Sequence, residues 1–140
     1  MTKVEILKLK GRDLDVAVAE RIMGWRWLNL PDIRRPCFKP PGEIAQFLPK
    51  FVERNTVTCS DSPPDRLPHY STDIAAAWQV VEAMRPEHGF WIDGDDGYAV
   101  EFQHGMPRMA DYRHGRASAP TAPEAICKAA LLAKLESGEV

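Results

Sequence analysis

The residues best suited to ligand chemistry lie in one stretch, HGMPRMADYRHGR at positions 104–116. Guanidinium and imidazole groups outnumber the single carboxylate of Asp111 there; the basic residues are His104, Arg108, Arg113, His114 and Arg116. Guanidinium groups donate forked hydrogen bonds that match phosphate oxygens, and the Tyr112 ring can stack on a base. We predict that Arg113 and Arg116 face a phosphate. The alternative is a solvated edge strand whose charges prevent aggregation.

A second candidate site is the run Trp25, Arg26, Trp27. An aromatic, guanidinium, aromatic run can hold a planar ring or anchor a partner protein. Because the run follows a predicted helix, the alternative is that the two Trp residues close the core.

Other chemistry finds little support in the sequence. No GxSxG, HExxH or glycine-rich phosphate loop occurs. The cysteines Cys37, Cys59 and Cys127 form no CxxC pair, and the aspartates around the turn GDDG lack the spacing of a calcium loop. We therefore predict no enzyme, no cofactor and no metal site.

Composition predicts one small domain in the cytoplasm. The 140 residues carry a formal net charge of -2, which argues against electrostatic binding of nucleic acid by the domain as a whole. No apolar run approaches the roughly 20 residues of a membrane span, and the charged N-terminus is unlike a signal peptide.

The first predicted helix extends from Arg12 to Met23, with apolar residues four positions apart. Gly24 follows as a left-handed cap residue, and Trp25 is expected to fold back on the last turn.

A second helix is predicted in HYSTDIAAAWQVVEAMRP, residues 69–86, with Ser71 or Thr72 as its N-cap. Spacing places four apolar residues on one face, namely Ile74, Ala77, Trp78 and Val81. We expect this face to be buried and Trp78 to fill the core beside the small alanines.

The last third predicts strands followed by a helix. FWID and YAVEFQH flank the turn GDDG as a hairpin, and a third strand is expected within MADYRHGRASA. The sequence TAPE predicts a capping box with Thr121 as N-cap and Glu124 reaching back to it. Gly138 is the predicted end of this last helix.

Residues 28–68 form an irregular, proline-rich insertion. Within it, GEIAQFLPKFV suits a short helix and RNTVTCS a short strand. An irregular segment of this length in a compact domain is often functional.

Three stretches resemble the phage ABA sandwich domain family, which comprises small proteins of bacteriophages and prophages; they are LDVAVAERIMGWRW, HYSTDIAAAWQVVEAM and TAPEAICKAALLA. They cover about half of the chain in a consistent order. The resemblance implies an α+β fold, an α/β/α sandwich in which a small antiparallel sheet is layered between helices. It implies one domain over residues 1–140 and supplies no catalytic residues.

Two function classes follow. In the first, the chain is a non-catalytic phage accessory protein that binds and sequesters a small anionic nucleotide, such as a host defence signal. Its site would combine the basic and aromatic candidates in one pocket or across a homo-oligomer interface; they are Arg113, Arg116, Arg108, Tyr112, His114, Trp25, Arg26 and Trp27. In the second, it is an interaction module that binds a host or phage protein through residues 28–68.

Overall fold

A computed structural model describes residues 1–29, 37–41, 52–53, 66–106, 108–110 and 112–136. The helices are α1 Lys3–Lys8, α2 Gly11–Arg21, α3 Ile74–Met84 and α4 Ala122–Glu136. The strands are β1 Arg26–Asn29, β2 Cys37–Lys39, β3 Val52–Glu53, β4 Gly89–Asp93, β5 Tyr98–His104 and β6 Arg113–Ala119. Within these residues no helix is long and apolar enough to cross a membrane.

The strands form two antiparallel three-stranded sheets, ordered β2-β1-β3 and β4-β5-β6. The predicted α+β class, the hairpin and the third strand are confirmed. The first sheet was not predicted, and it draws its strands partly from the segment 28–68. The predicted helix GEIAQFLPKFV lies, apart from its last residue, outside the described residues, and the predicted strand RNTVTCS lies wholly outside them.

Helix α4 lies at the centre of the fold. It packs on β5 and β6 and also contacts the other three helices. The contact with β6 is so close that a Cβ atom at Gly115 would collide with the backbone of Ala129 and Ala133. Cys127 is buried in this helix as predicted, and burial raises the pKa of its thiol, which keeps it protonated and unreactive.

Both ends of α4 were part of the sequence prediction. The helix begins directly after Thr121, as TAPE predicts. The Glu124 carboxylate accepts a hydrogen bond of 3.0 Å from the Lys128 side chain one turn later. The predicted stop at Gly138 lies outside the described residues.

Helix α2 ends as its sequence predicts. Gly24 has a φ of +80°, and the Trp25 backbone nitrogen donates to the Ala19 carbonyl at 2.9 Å. Inside the helix, the buried Asp15 carboxylate accepts a hydrogen bond of 2.7 Å from the Ser71 backbone and one of 2.8 Å from Arg12. This network ties α2 to the chain that enters α3.

In helix α3 both the N-cap residue and the buried face differ from the predictions. Its N-cap is Asp73, whose side chain accepts a hydrogen bond from the Ala75 nitrogen, and not Ser71 or Thr72. Its buried residues are Ala76, Ala77, Val80, Val81 and Met84.

The prediction that Trp78 fills the core is therefore wrong. Trp78 is 46% exposed and Ile74 is 55% exposed. The reason is a second apolar row, from Ala76 through Val80 to Met84, that also repeats every four residues and turns toward α4. Trp78 keeps one aromatic neighbour, Phe90, in an edge-to-face contact at 5.8 Å.

Candidate functional site

The sheet β4-β5-β6 has two chemically different faces. Val100 and Phe102 on its inner face are fully buried. The outer face carries a row across all three strands, in which Trp91 lies opposite Glu101 and Glu101 lies opposite Arg116. Side chains directly opposite each other on neighbouring strands are within interaction distance. The row thus joins an aromatic ring, a carboxylate and a guanidinium group.

The Trp91 ring lies beside Gly89 on this outer face. A Cβ atom at Gly89, two residues earlier on the same face, would lie 2.9 Å from Cζ3 of the indole. The ring therefore rests over the glycine backbone, while 57% of the residue is exposed to solvent. Such a ring is already positioned to stack on a planar ligand.

A cleft of about 390 Å³ adjoins this ring, with Asp93, Glu101 and Arg116 in its lining. Further along β6, the exposed His114 lies on the same outer face, opposite Gln103. The basic groups are therefore on the β6 side of the face and the carboxylates on the β4 and β5 side. This polarity gives an anionic group one preferred end of the row.

The structure separates the predicted cluster of residues 104–116. Side chains alternate between faces along a strand, so Arg113 and Arg116, three residues apart, point to opposite sides. Arg116 is on the outer face, whereas Arg113 lies opposite His104 at the end of the inner face. The two guanidinium groups therefore start from opposite faces of the sheet, and only Arg116 lies on the outer face.

The other members of that cluster are spread over the end of the sheet. The Tyr112 and His114 rings stack on each other, with 5.4 Å between their centroids. Arg108 is exposed in the connection before β6, with a φ of +75°. His114 shares the outer face of β6 with Arg116, and the Tyr112 ring that stacks on His114 lies at the end of the same face.

The run Trp25, Arg26, Trp27 does not form a surface site for an aromatic ligand. Trp25 is 7% exposed and Trp27 is 3% exposed. Both rings pack on the Phe38 ring, and the Trp27 ring stacks on it with 4.5 Å between the centroids. The two rings therefore close the core, as the alternative predicted, and ligand contact by them stays a prediction. Arg26, between them in β1, is exposed.

A buried imidazole lies near the other side of Trp91. The His88 ring is buried, and its centroid is 5.6 Å from that of the His104 ring. Burial lowers the pKa of His88, and the neighbouring His104 lowers it further. In the described part of the chain no group of three or more His, Cys, Asp or Glu residues could hold a metal ion.

Sequence reasoning missed Trp91 and Glu101 as site residues. The signal was the pair Phe90–Trp91 inside a predicted strand. Adjacent residues of a strand point to opposite faces, so only one of the two rings can be in the core.

Comparison with known proteins identifies a family. Neither the curated proteins nor the solved structures provide a match to this chain. A family model described as the phage ABA sandwich domain matches residues 16–131, which is most of the chain. The chain therefore belongs to the phage ABA sandwich domain family.

Proposed function

We propose that this protein is a non-catalytic bacteriophage accessory protein that binds and sequesters a small anionic nucleotide in the host cytoplasm. The observation that carries the proposal is the exposed Trp91 ring in one cross-strand row with Glu101 and Arg116. The base stacks on Trp91, the sugar hydroxyls donate to Glu101, and a phosphate binds Arg116.

The dimensions of the row support this order of contacts. Neighbouring strands are about 4.8 Å apart, so the path from β4 to β6 is about 10 Å long. A nucleotide lying across the strands can bring its base to one edge and its phosphate to the other. The Asp93 carboxylate lines the cleft beside Trp91 and repels a phosphate from that end.

The expected energies also support a small ligand. Stacking of a base on an aromatic side chain contributes about 1–3 kcal/mol. A hydrogen bond between phosphate and a guanidinium group contributes about 1.5–3 kcal/mol.

The test is calorimetry of the purified chain with a panel of mononucleotides and cyclic dinucleotides, followed by chromatography of the ligand after denaturation. We expect intact ligand to be recovered. Trp91→Ala and Arg116→Ala should each weaken binding about tenfold or more. Arg113→Ala is the matched control, because Arg113 is an exposed arginine of the same strand on the other face.

Three results would contradict the proposal. The first is that no nucleotide of the panel binds, and the second is that the Arg113 and Arg116 variants lose affinity equally. Chemically altered ligand would contradict the non-catalytic part. The alternative function, a protein interaction through residues 28–68, concerns a segment that lies mostly outside the described residues.

A further inference from the structure

The exposed face of α3 begins with uncharged residues. Ile74, Ala75, Trp78 and Gln79 occupy it over the first two turns, and the two large apolar residues are 55% and 46% exposed. A helix face that meets water is normally polar or charged. The first charged residues on this face are Glu82 and Arg85, which form an ion pair of 3.1 Å with each other.

This apolar surface continues from α3 onto the strand β4. Trp78 contacts Phe90 edge-to-face at 5.8 Å. Phe90 and Ile92 share one face of β4, and Ile92 is 45% exposed. The stripe from Ile74 through Trp78 and Phe90 to Ile92 is thus connected by one helical turn, one ring contact and one strand step.

The two edges of the sheet are protected differently. The edge strand β6 carries Arg113, His114 and Arg116, and charged side chains are a common protection of an edge against pairing with other chains. The edge strand β4 has the sequence GFWID, with no charge before Asp93. Among the described strands, β4 is therefore the edge that lacks this protection.

We propose that a second copy of the chain covers the stripe, in a two-fold symmetric dimer formed by α3 and β4 of each copy. A two-fold interface places the same patch on both subunits, and an uncharged patch meets its own copy without electrostatic repulsion. Ala75 permits close approach of the two helices, and the paired Glu82 and Arg85 form a neutral rim.

The size of the stripe suits the centre of a dimer interface. From their exposed fractions, Ile74, Trp78 and Ile92 offer roughly 300 Å² of apolar surface per copy. Stable interfaces bury about 800 Å² per partner, with an apolar centre and a polar rim. Exposed aromatic side chains such as Trp78 are frequent anchors of such centres.

The dimer surface and the proposed nucleotide site lie on different faces of the sheet and meet at Ile92, which also lines the cleft beside Trp91. Trp91 and Arg116 face the outer side of the sheet, whereas Phe90 and Ile92 face the inner side, on which Phe90 contacts Trp78 of α3. Dimerisation can therefore be tested without any nucleotide, and failure of one proposal leaves the other intact.

The test is sedimentation velocity of the full chain without ligand, at concentrations from about 1 to 100 µM. We expect a dimer in wild type. Ile74→Glu and Ala75→Arg should each raise the dimer dissociation constant at least tenfold, because each buries a charge in an apolar contact.

The matched control is Val4→Glu, at a residue of α1 that is 60% exposed and lies outside the stripe. It should leave the dimer unchanged, and circular dichroism should show all variants folded. A wild-type chain that stays monomeric at about 100 µM would overturn the proposal. So would folded Ile74→Glu and Ala75→Arg variants that dimerise as tightly as wild type.

Discussion

The four tryptophans divide the molecule into two regions. Trp25 and Trp27, at the end of α2 and in β1, are buried against Phe38. Trp78 and Trp91, in α3 and β4, are 46% and 57% exposed. The comparison teaches that neighbours, and not residue type, decide whether an aromatic ring stabilises the fold or remains available to bind.

The contacts of each ring explain the division. Trp25 and Trp27 share one aromatic cluster with Phe38. The Trp78 ring contacts the Phe90 ring edge-to-face, and the Trp91 ring lies beside Gly89 with 57% of the residue exposed. The first pair has most of its surface removed from water, which is the main source of stabilisation.

The strongest test of this comparison is Trp27→Ala. Loss of a buried indole and the cavity that it leaves should lower the free energy of unfolding by about 3–5 kcal/mol. Trp91→Ala should change it by about 0.5 kcal/mol at most, since the ring is exposed. Urea denaturation of both variants measures the difference. Equal losses would remove the distinction between the two regions.

Trp78→Ala is expected to have an intermediate effect of about 1 kcal/mol on a chain kept monomeric by Ile74→Glu. The ring loses one aromatic contact and part of its buried surface, but leaves no enclosed cavity. The same denaturation experiment applies. A loss above about 3 kcal/mol would mean that Trp78 is a core residue after all.

The comparison of buried with exposed side chains also applies to two histidines, the buried His88 and the exposed His114. Their effect on stability depends on pH and is expected to be the smallest of those predicted. The folded-state pKa of His88 is lowered by burial, so the unfolded chain binds more protons below about pH 6.5. The stability that neutral His88 contributes should therefore be lost as pH falls below about 6.5.

Thermal denaturation at pH values from 7.5 to 5 measures how steeply the melting temperature falls with pH. His88→Phe should make this fall less steep, and the exposed His114→Gln should leave it unchanged. A slope that persists in His88→Phe would assign the pH dependence to other groups.

Local patterns predicted the elements well. The glycine and tryptophan after α2, the hairpin around GDDG and the start of α4 are each fixed by neighbours in the chain, and each was confirmed. The first sheet was missed because its short strands are separated along the chain and depend on non-local pairing.

The faces of the elements were harder to predict. In α3 the row Ala76, Val80, Met84 is apolar throughout, whereas the row through Ile74 and Trp78 continues into Glu82. The sequence therefore contained a sign that Trp78 lies at the border of the buried face. For β6 the sequence also held the answer. Arg113 and Arg116 differ by an odd number of positions within one strand, so they could not share a face.

The most direct test of the central claim is one nuclear magnetic resonance titration that observes the indole N–H signals of all four tryptophans, assigned through single Trp→Phe variants. On addition of a nucleotide that binds, we expect the Trp91 signal to move, because the base stacks on its ring. The Trp25 and Trp27 signals should stay in place, and the Trp78 signal should respond to dilution of the dimer and not to the nucleotide. A titration in which Trp91 stays in place while the nucleotide binds, or in which Trp25 and Trp27 move most, would contradict a nucleotide site on the outer face of the sheet.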